Sequence, residues 1–590
     1  MSLNRSHAAP AFLGALATLA LACSPSGEGV DGDRGGGAQN GKGGAGVIGG
    51  ASGKGTGGGS SASGGASASG GAAGTGAVGG GVDLPPGTTP VSLLPAGVRR
   101  LTNAEYEASV RALLGLGLPA DVIFPPDARQ DGFTRNDAQR VDPVFAKQIA
   151  AVAATLGENA KSRAMELAPC SDSPAGEACA QSFVTSFGER AYRRALTTEE
   201  VDGLVAVYRA GAEGATYADG IGLVVEALLQ SAGFLYETEI GDGTAFDPII
   251  LAPHELASSL SYLITGQPPD GALMDAARSG ALSTPEGREE QTWRLLQSGA
   301  AARTTILRVV REWLGIDRIS ETAKDTNVYP AFEGLRPAMT NEVENFINEV
   351  VTASTGTVGE LFGADWTMAE ANLASSFYGV SGSGRVSLAG TGRRGILNQG
   401  AFLSVYAHAS ESAPVFRGVA VMRRVTCTPP PSPADLNIDV IPPEPDPSLT
   451  TRDRFGAHVA DDTCAGCHAM IDGIGFTFEN FDGMGVSRNG MENGQPVNTA
   501  TMLELGLDFD GPYANSDELS LALSQSAAVR ACFARHLFHA MTGASGTAYQ
   551  PSEDSYVAAW RDDTGAESGK IIDSILAYIK SPLFAYRRAL

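Results

Sequence analysis

Basic residues, cysteine, histidine and aromatics are all scarce in this chain of 590 residues. Lysine and arginine total 42 against 66 aspartates and glutamates, a formal charge of −24. A chain this acidic repels a phosphate backbone, which excludes nucleic acid as its partner. Beyond the first thirty residues no uncharged apolar run approaches the ~20 residues of a membrane-spanning helix, so the body is expected to be soluble. Aromatics make up 7% of the chain and are scattered, leaving no binding stripe for a polymer. Nucleophile-elbow, phosphate-loop and zinc-hydrolase patterns are missing, so no hydrolytic or phosphoryl-transfer reaction is indicated. Only glycine is abundant, and 26 of the 75 glycines lie within residues 24–81.

The N-terminus accounts for that excess. Residues 1–23 read as a secretory signal, with Arg5 in a short n-region, an apolar stretch over 8–22, and small residues before Cys23. The run Leu19-Ala20-Leu21-Ala22-Cys23 resembles a bacterial lipobox, which implies cleavage before Cys23 and its lipidation. Ser24 follows rather than Asp, which in Gram-negative lipoproteins implies the outer membrane, facing the periplasm or the cell surface. Residues 24–83 are rich in Gly, Ser and Ala without apolar periodicity, and are expected to form a disordered tether. Such a tether of some 60 residues would span roughly 40 to 50 Å.

From residue 84 onward the pattern is helical, and the fold class expected is mainly α, with several packed helical domains. Thr102 with Glu105, and Thr197 with Glu200, have capping-box spacing, each followed by apolar residues on one helical face. Helical spacing recurs over 221–235, 255–264, 304–314, 342–351 and 529–541. Few segments read as strands, and Pro-rich stretches at 428–433 and 441–447 mark a crossing between subdomains. The segmentation expected is helical domains over 84–165, 166–240 and 241–384, a separate domain over 385–495, and a helical domain over 496–590 that packs on it.

Chemistry enters at Cys464-Ala465-Gly466-Cys467-His468, the C-x-x-C-H pattern of covalent haem c attachment. Two thiols three residues apart on a helix reach the two vinyl groups of one haem, and the adjacent imidazole reaches the iron. A thioredoxin-like pair, half a zinc site and a disulfide are the rival readings. Zinc lacks a second C-x-x-C or an H-x-x-x-H, and an export signal suits the compartment where haem is attached.

Around this motif the sequence resembles a known family. His458-Val459-Ala460-Asp461-Asp462-Thr463, Ile471-Asp472-Gly473-Ile474-Gly475-Phe476 and Glu479-Asn480-Phe481-Asp482 look like the cytochrome domain of a large bacterial family, frequent in planctomycetes and myxobacteria. Upstream marks are Arg100-Leu101-Thr102-Asn103-Ala104-Glu105-Tyr106, Arg193-Arg194-Ala195-Leu196-Thr197, Phe234-Leu235-Tyr236-Glu237, Arg394-Gly395-Ile396-Leu397 and Ser412-Ala413-Pro414-Val415-Phe416-Arg417-Gly418. The resemblance implies an exported protein in which helical domains of unknown function are fused to one c-type haem domain, here a cytochrome c-like domain over 385–495 near the C-terminus. It implies no particular reaction.

His468 is the expected proximal iron ligand. For the opposite face the resemblance favours His458, since family members often carry histidine there, with a propionate contact or a helix cap as its other reading. His408, in a loop, is the runner-up, and Met541 on an apolar helical stripe reads as core packing. With Cys23, Cys464 and Cys467 assigned, four cysteines remain, for which three pairings are possible. Cys170 and Cys179 bracket a short polar loop suited to local closure, which leaves Cys427 to pair with Cys532.

The function expected is electron transfer through one covalent haem c, with an exported redox protein as partner and the membrane touched only through the lipid. A haem-dependent oxidoreductase, a peroxidase or an oxidase of a carbohydrate-like substrate, is the alternative, for which Glu479 and Asp482, or Arg393, Arg394 and Arg417, could line a site. A surface-tethered binding protein with an accessory haem is the second alternative.

Overall fold

The computed structural model describes residues 88–589 apart from 172–175, 244–246, 298, 432–442, 445, 459–461, 547–548 and 565–568. The signal, the lipidation at Cys23, the tether and part of the Pro-rich stretches lie outside the described residues, as do the side chains of His458 and Cys464. The chain is mainly helical, with short strands in two-stranded antiparallel pairs. Among the described residues no helix is long and apolar enough to cross a membrane.

Both capping boxes form. Helix α1 (Asn103–Leu114) begins at Thr102, whose Oγ1 accepts from the Glu105 amide at 3.2 Å while the Thr102 amide donates to the Glu105 carboxylate at 2.9 Å. After α2 (Pro143–Ser162) and α3 (Glu177–Tyr192), α4 (Thr198–Ala212) starts from the same device at Thr197 and Glu200. Helix α5 (Tyr217–Leu229) then packs along α2 and α4. These five helices, drawn from both the 84–165 and 166–240 segments, enclose one core containing Tyr106, Ile149, Phe183, Leu204 and Leu228.

A second, larger core gathers the rest of the chain. It is built around α6 (Pro253–Thr265), α7 (Pro285–Gln297), α8 (Ala300–Leu314), α9 (Phe332–Ala353) and α10 (Pro414–Arg424). Helices α11 (Thr451–His458), α12 (Asp462–Phe476), α13 (Ser516–Gln525), α14 (Ala527–Thr542), α15 (Gln550–Thr564) and α16 (Ile571–Lys580) complete it. Trp313 and Phe346 lie at its centre, each almost fully enclosed.

The cores are joined by polar groups. Strand β1 (Gly97–Arg100) pairs with β2 (Tyr236–Glu239), setting Arg99 opposite Glu237 and Arg100 opposite Tyr236. Arg99 spans the Glu105 and Glu237 carboxylates at 2.7 and 2.5 Å, while Arg135 reaches the same two at 3.6 and 3.5 Å and donates to the carbonyl of Met541 in α14. Ser109 of α1 and Tyr262 of α6 share a hydrogen bond of 2.7 Å between their hydroxyls. Two disulfides close as cysteine counting suggests, Cys170 to Cys179 and Cys427 to Cys532. The second ties the end of α10 to α14.

Candidate haem site

The C-x-x-C-H motif lies in α12, whose span from Asp462 to Phe476 includes Cys464, Cys467 and His468. At 3.6 residues per turn, positions i, i+3 and i+4 fall on one helical face, so both cysteine positions and the histidine share a side. Cys467 is half-buried against the larger core and belongs to no disulfide. His468 is half-buried, and its Nδ1 lies 3.1 Å from the buried carboxylate of Asp472, one turn further on. This hydrogen bond raises the His468 imidazole above its ordinary pKa against the opposing effect of burial.

What fixes α12 is its crossing with α10, which requires two glycines. A Cβ on Gly418 would lie 2.2 Å from the carbonyl oxygen of Ile471, and one on Gly475 would lie 2.1 Å from that of Pro414. No side chain larger than hydrogen is compatible with backbones this close. The two contacts also give an antiparallel register, Gly418 beside Ile471 and Pro414 beside Gly475.

Beyond the crossing, Arg417 is fully buried and clamps the turn that follows α12. Its guanidinium donates to the carbonyls of Phe481 at 2.9 Å and Asp482 at 2.6 Å and pairs with Glu479 at 3.3 Å. Burial lowers Arg417 to about 10, still charged at neutral pH. Glu479 also pairs with Arg488 and accepts from the Ser412 hydroxyl at 2.7 Å. Asp482 accepts from the amides of Met484 and Val486, Arg393 donates to the carbonyls of Asn398 and Gly485, and Arg394 meets the Gly363 carbonyl and Asp517. Of these five groups, considered above as a substrate site, Asp482 and the three arginines hold backbone, and Glu479 holds the side chains of Arg417, Arg488 and Ser412.

The other proposed ligands separate. His408, before the start of α10, sets its ring at a tilt against Phe416 with centroids 4.8 Å apart, and so lies toward the Gly475 end of the crossing rather than the His468 end. Met541 is buried beside Phe533, Leu537 and Ile306, as its apolar stripe suggests. His458 ends α11, ten positions before His468. Sulfur and imidazole also meet elsewhere: Cys427, Cys532 and His536 have ligand atoms within 4.8 Å of one another, but the two sulfurs are bonded to each other and offer no thiolate.

Two groups near this region escaped the sequence reading. His468 and Asp472 stand at i and i+4, a spacing that could have identified the pair. Glu342 on α9 gave no such signal. It is fully enclosed, accepts from the hydroxyls of Thr367 at 2.7 Å and Tyr378 at 2.9 Å, and burial pushes its carboxyl up to about 7. The unfolded chain releases this proton near pH 4.5, whereas the folded form keeps it until about pH 7. Stability attributable to Glu342 is therefore complete below pH 4.5 and declines by about 3 kcal/mol as pH rises to 7. Glu342→Gln should remove that decline, so the variant gains on the wild type between pH 4.5 and 8 in urea titrations. A difference between the two that does not vary with pH would mean the carboxyl is ionised in the fold.

Comparison with curated proteins and with solved structures gives no match. Four protein-family models match successive segments: PSD3, a protein of unknown function (DUF1587), over 99–161, and PSD5, a protein of unknown function (DUF1595), over 179–239. PSD4, a protein of unknown function (DUF1592), follows over 251–380, and PSCyt3, a protein of unknown function (DUF1588), over 393–490, the segment that contains α10, α12 and the Arg417 clamp. The chain is thus similar, segment by segment, to four domains of unknown function in tandem.

Proposed function

We propose that this chain is an exported lipoprotein of the planctomycete and myxobacterial multidomain family, and that it transfers electrons through one haem held by Cys464, Cys467 and His468. The observation that carries the reading is α12 itself, one helix with both cysteine positions and the histidine on one face. Four other cysteines are closed in disulfides, while Cys467 is left as a thiol. The name of the PSCyt3 model, which spans this helix, contains the abbreviation for cytochrome and agrees with this.

The donor set fits the group. Thiols at Cys464 and Cys467 would add across the two vinyl groups as thioethers, and His468 would ligate through Nε2 because its Nδ1 faces Asp472. When bound, the haem supplies a one-electron couple at the iron. The Gly418 and Gly475 crossing and the Arg417 clamp hold α12 rigid, which keeps reorganisation on electron transfer small. His458, which ends the helix before α12, would be the second protein group to hold the iron. A net charge of −24 favours a basic exported redox protein as partner, since complementary charge steers brief encounters. Lipid at Cys23 would be the sole membrane contact.

Expression of the mature protein with a haem-maturation system tests this directly. The wild type should carry covalent haem by the pyridine haemochrome assay, with a low-spin spectrum unmoved by CO. Cys464→Ser with Cys467→Ser should abolish covalent attachment, and His458→Ala should give a high-spin iron that binds CO. Wild-type protein without covalent haem would overturn the proposal; wild-type high-spin iron that turns over peroxide would make the protein an enzyme instead.

A further inference from the structure

We infer that Asp472 is a positioning residue for the iron ligand: its carboxylate takes the Nδ1 proton of His468 in a hydrogen bond, gives the imidazole anionic character, and thereby holds the haem at a low reduction potential. The inference rests on the haem reading above and specifies how that site is tuned.

Asp472 is poorly placed for any purely local role. Aspartate in a helix interior is among the less favourable residues, and enclosing its carboxylate incurs a desolvation penalty unless a partner offsets it. The carboxylate is buried, and the partner is the His468 ring at 3.1 Å. The cation nearest in effect, Arg452, lies over the Phe476 ring at 4.9 Å and donates to the carbonyls of Asn498 and Ala500 at 2.9 and 2.7 Å. Its bonds are made with backbone, so it meets the charge of Asp472 only through space, while the imidazole is bonded to that carboxylate directly.

Two consequences follow for the iron. With Nδ1 as the donor to Asp472, the ring is fixed in the tautomer that ligates through Nε2. A carboxylate behind a metal-bound histidine also makes the ligand more basic. The oxidised iron carries one more positive charge than the reduced iron, so added negative charge on its ligand stabilises the oxidised state. The low polarity around a half-buried site strengthens this effect. A helix whose only task was to present a thioether pair would have no use for that carboxylate.

Spectroelectrochemical titration of the covalently loaded protein separates the outcomes. Asp472→Asn keeps shape and removes charge; it should favour the reduced form at least about tenfold, an upward shift of about 59 mV for a one-electron couple. Asp472→Glu, which retains a carboxylate, should remain close to the wild type. A second measurement needs no change at Asp472: ferrous His458→Ala protein, with His468 as its protein ligand, should show an iron–histidine stretch in the high range of imidazolate-like ligands. Loaded Asp472→Asn with an unshifted potential, or a stretch in the range of neutral imidazole, overturns the inference while the haem reading stands. Wild-type protein that takes up no covalent haem overturns both.

Discussion

Arg99→Ala is expected to lower the stability of the fold by about 3 to 5 kcal/mol, the range for removing one partner from a buried ion pair. The guanidinium bridges Glu105 and Glu237, and all three side chains are nearly inaccessible to water. Without it, Arg135, at 3.5 Å or more, is the one guanidinium among the described residues left in ion-pair contact with both carboxylates. Glu105 shows how strongly the pair is coupled. Burial by itself would raise its carboxyl, but Arg99 and Arg135 outweigh burial and hold it at about 2. A carboxyl held this low contributes stability above its unfolded value of 4.5, and loses it as pH falls toward 2, about 3 kcal/mol in all. In Arg99→Ala the acid-induced loss attributable to Glu105 should shrink, because the carboxyl is no longer held below its unfolded value, so the variant's deficit is largest at neutral pH and narrows as pH falls. Arg99→Lys should recover only part of the difference, since an ammonium cannot fork between two carboxylates. Thermal melting followed by circular dichroism from pH 7 to 3 reads both effects. A loss below about 1 kcal/mol would be that of an exposed pair and would mean water reaches the site.

The same network shows where the sequence is legible and where it is not. Thr102 and Glu105 announce a helix start from their spacing alone, and α1 begins there. Nothing local says that Glu105 is also an ion-pair partner of Arg99 and Arg135, because that depends on β1 meeting β2. Each is four residues long, too short for a period of two to stand out, and they meet across more than 130 positions of chain. The motifs that carry the family resemblance have a related physical meaning. Arg193 donates to the carbonyls of Phe234 and Tyr236, and β1 brings Arg100 opposite Tyr236, so three upstream motifs converge at one junction. Ser412 and Arg417 meet Glu479, Phe481 and Asp482 in the same way. Of the groups that read as possible substrate contacts, Asp482, Arg393, Arg394 and Arg417 bond backbone, and Glu479 anchors the Arg417 and Arg488 guanidinium groups, an arrangement that residue type alone does not reveal. Helical periodicity placed α4, α6, α8, α9 and α14, whose apolar stripes are local, but did not single out α2, α3, α7, α10, α15 or α16; scarcity of cysteine made the disulfides countable.

The disulfides permit a comparison of their own, because the two differ mainly in the length of chain they close. Cys170 and Cys179 are 9 positions apart, Cys427 and Cys532 are 105 apart. In the chain-entropy account, stabilisation grows with the logarithm of loop length, giving about 2.5 kcal/mol for the first and about 5 kcal/mol for the second. Paired serine substitutions at Cys427 and Cys532 should therefore cost about twice what the same change costs at Cys170 and Cys179. The longer bridge also has a positional effect that entropy does not include. It anchors the C-terminal end of α10 to α14, and α10 is the helix against whose backbone α12 rests at Gly418 and Gly475. Loss of the bridge should loosen α12, so the serine pair at 427 and 532 should also lower haem incorporation, whereas the pair at 170 and 179, in the other core, should not. Urea unfolding of both variants, with covalent haem measured on the same preparations, separates the contributions. Equal destabilisation would refute the entropy account, and full haem loading without the longer bridge would mean that the glycine crossing holds α12 unaided.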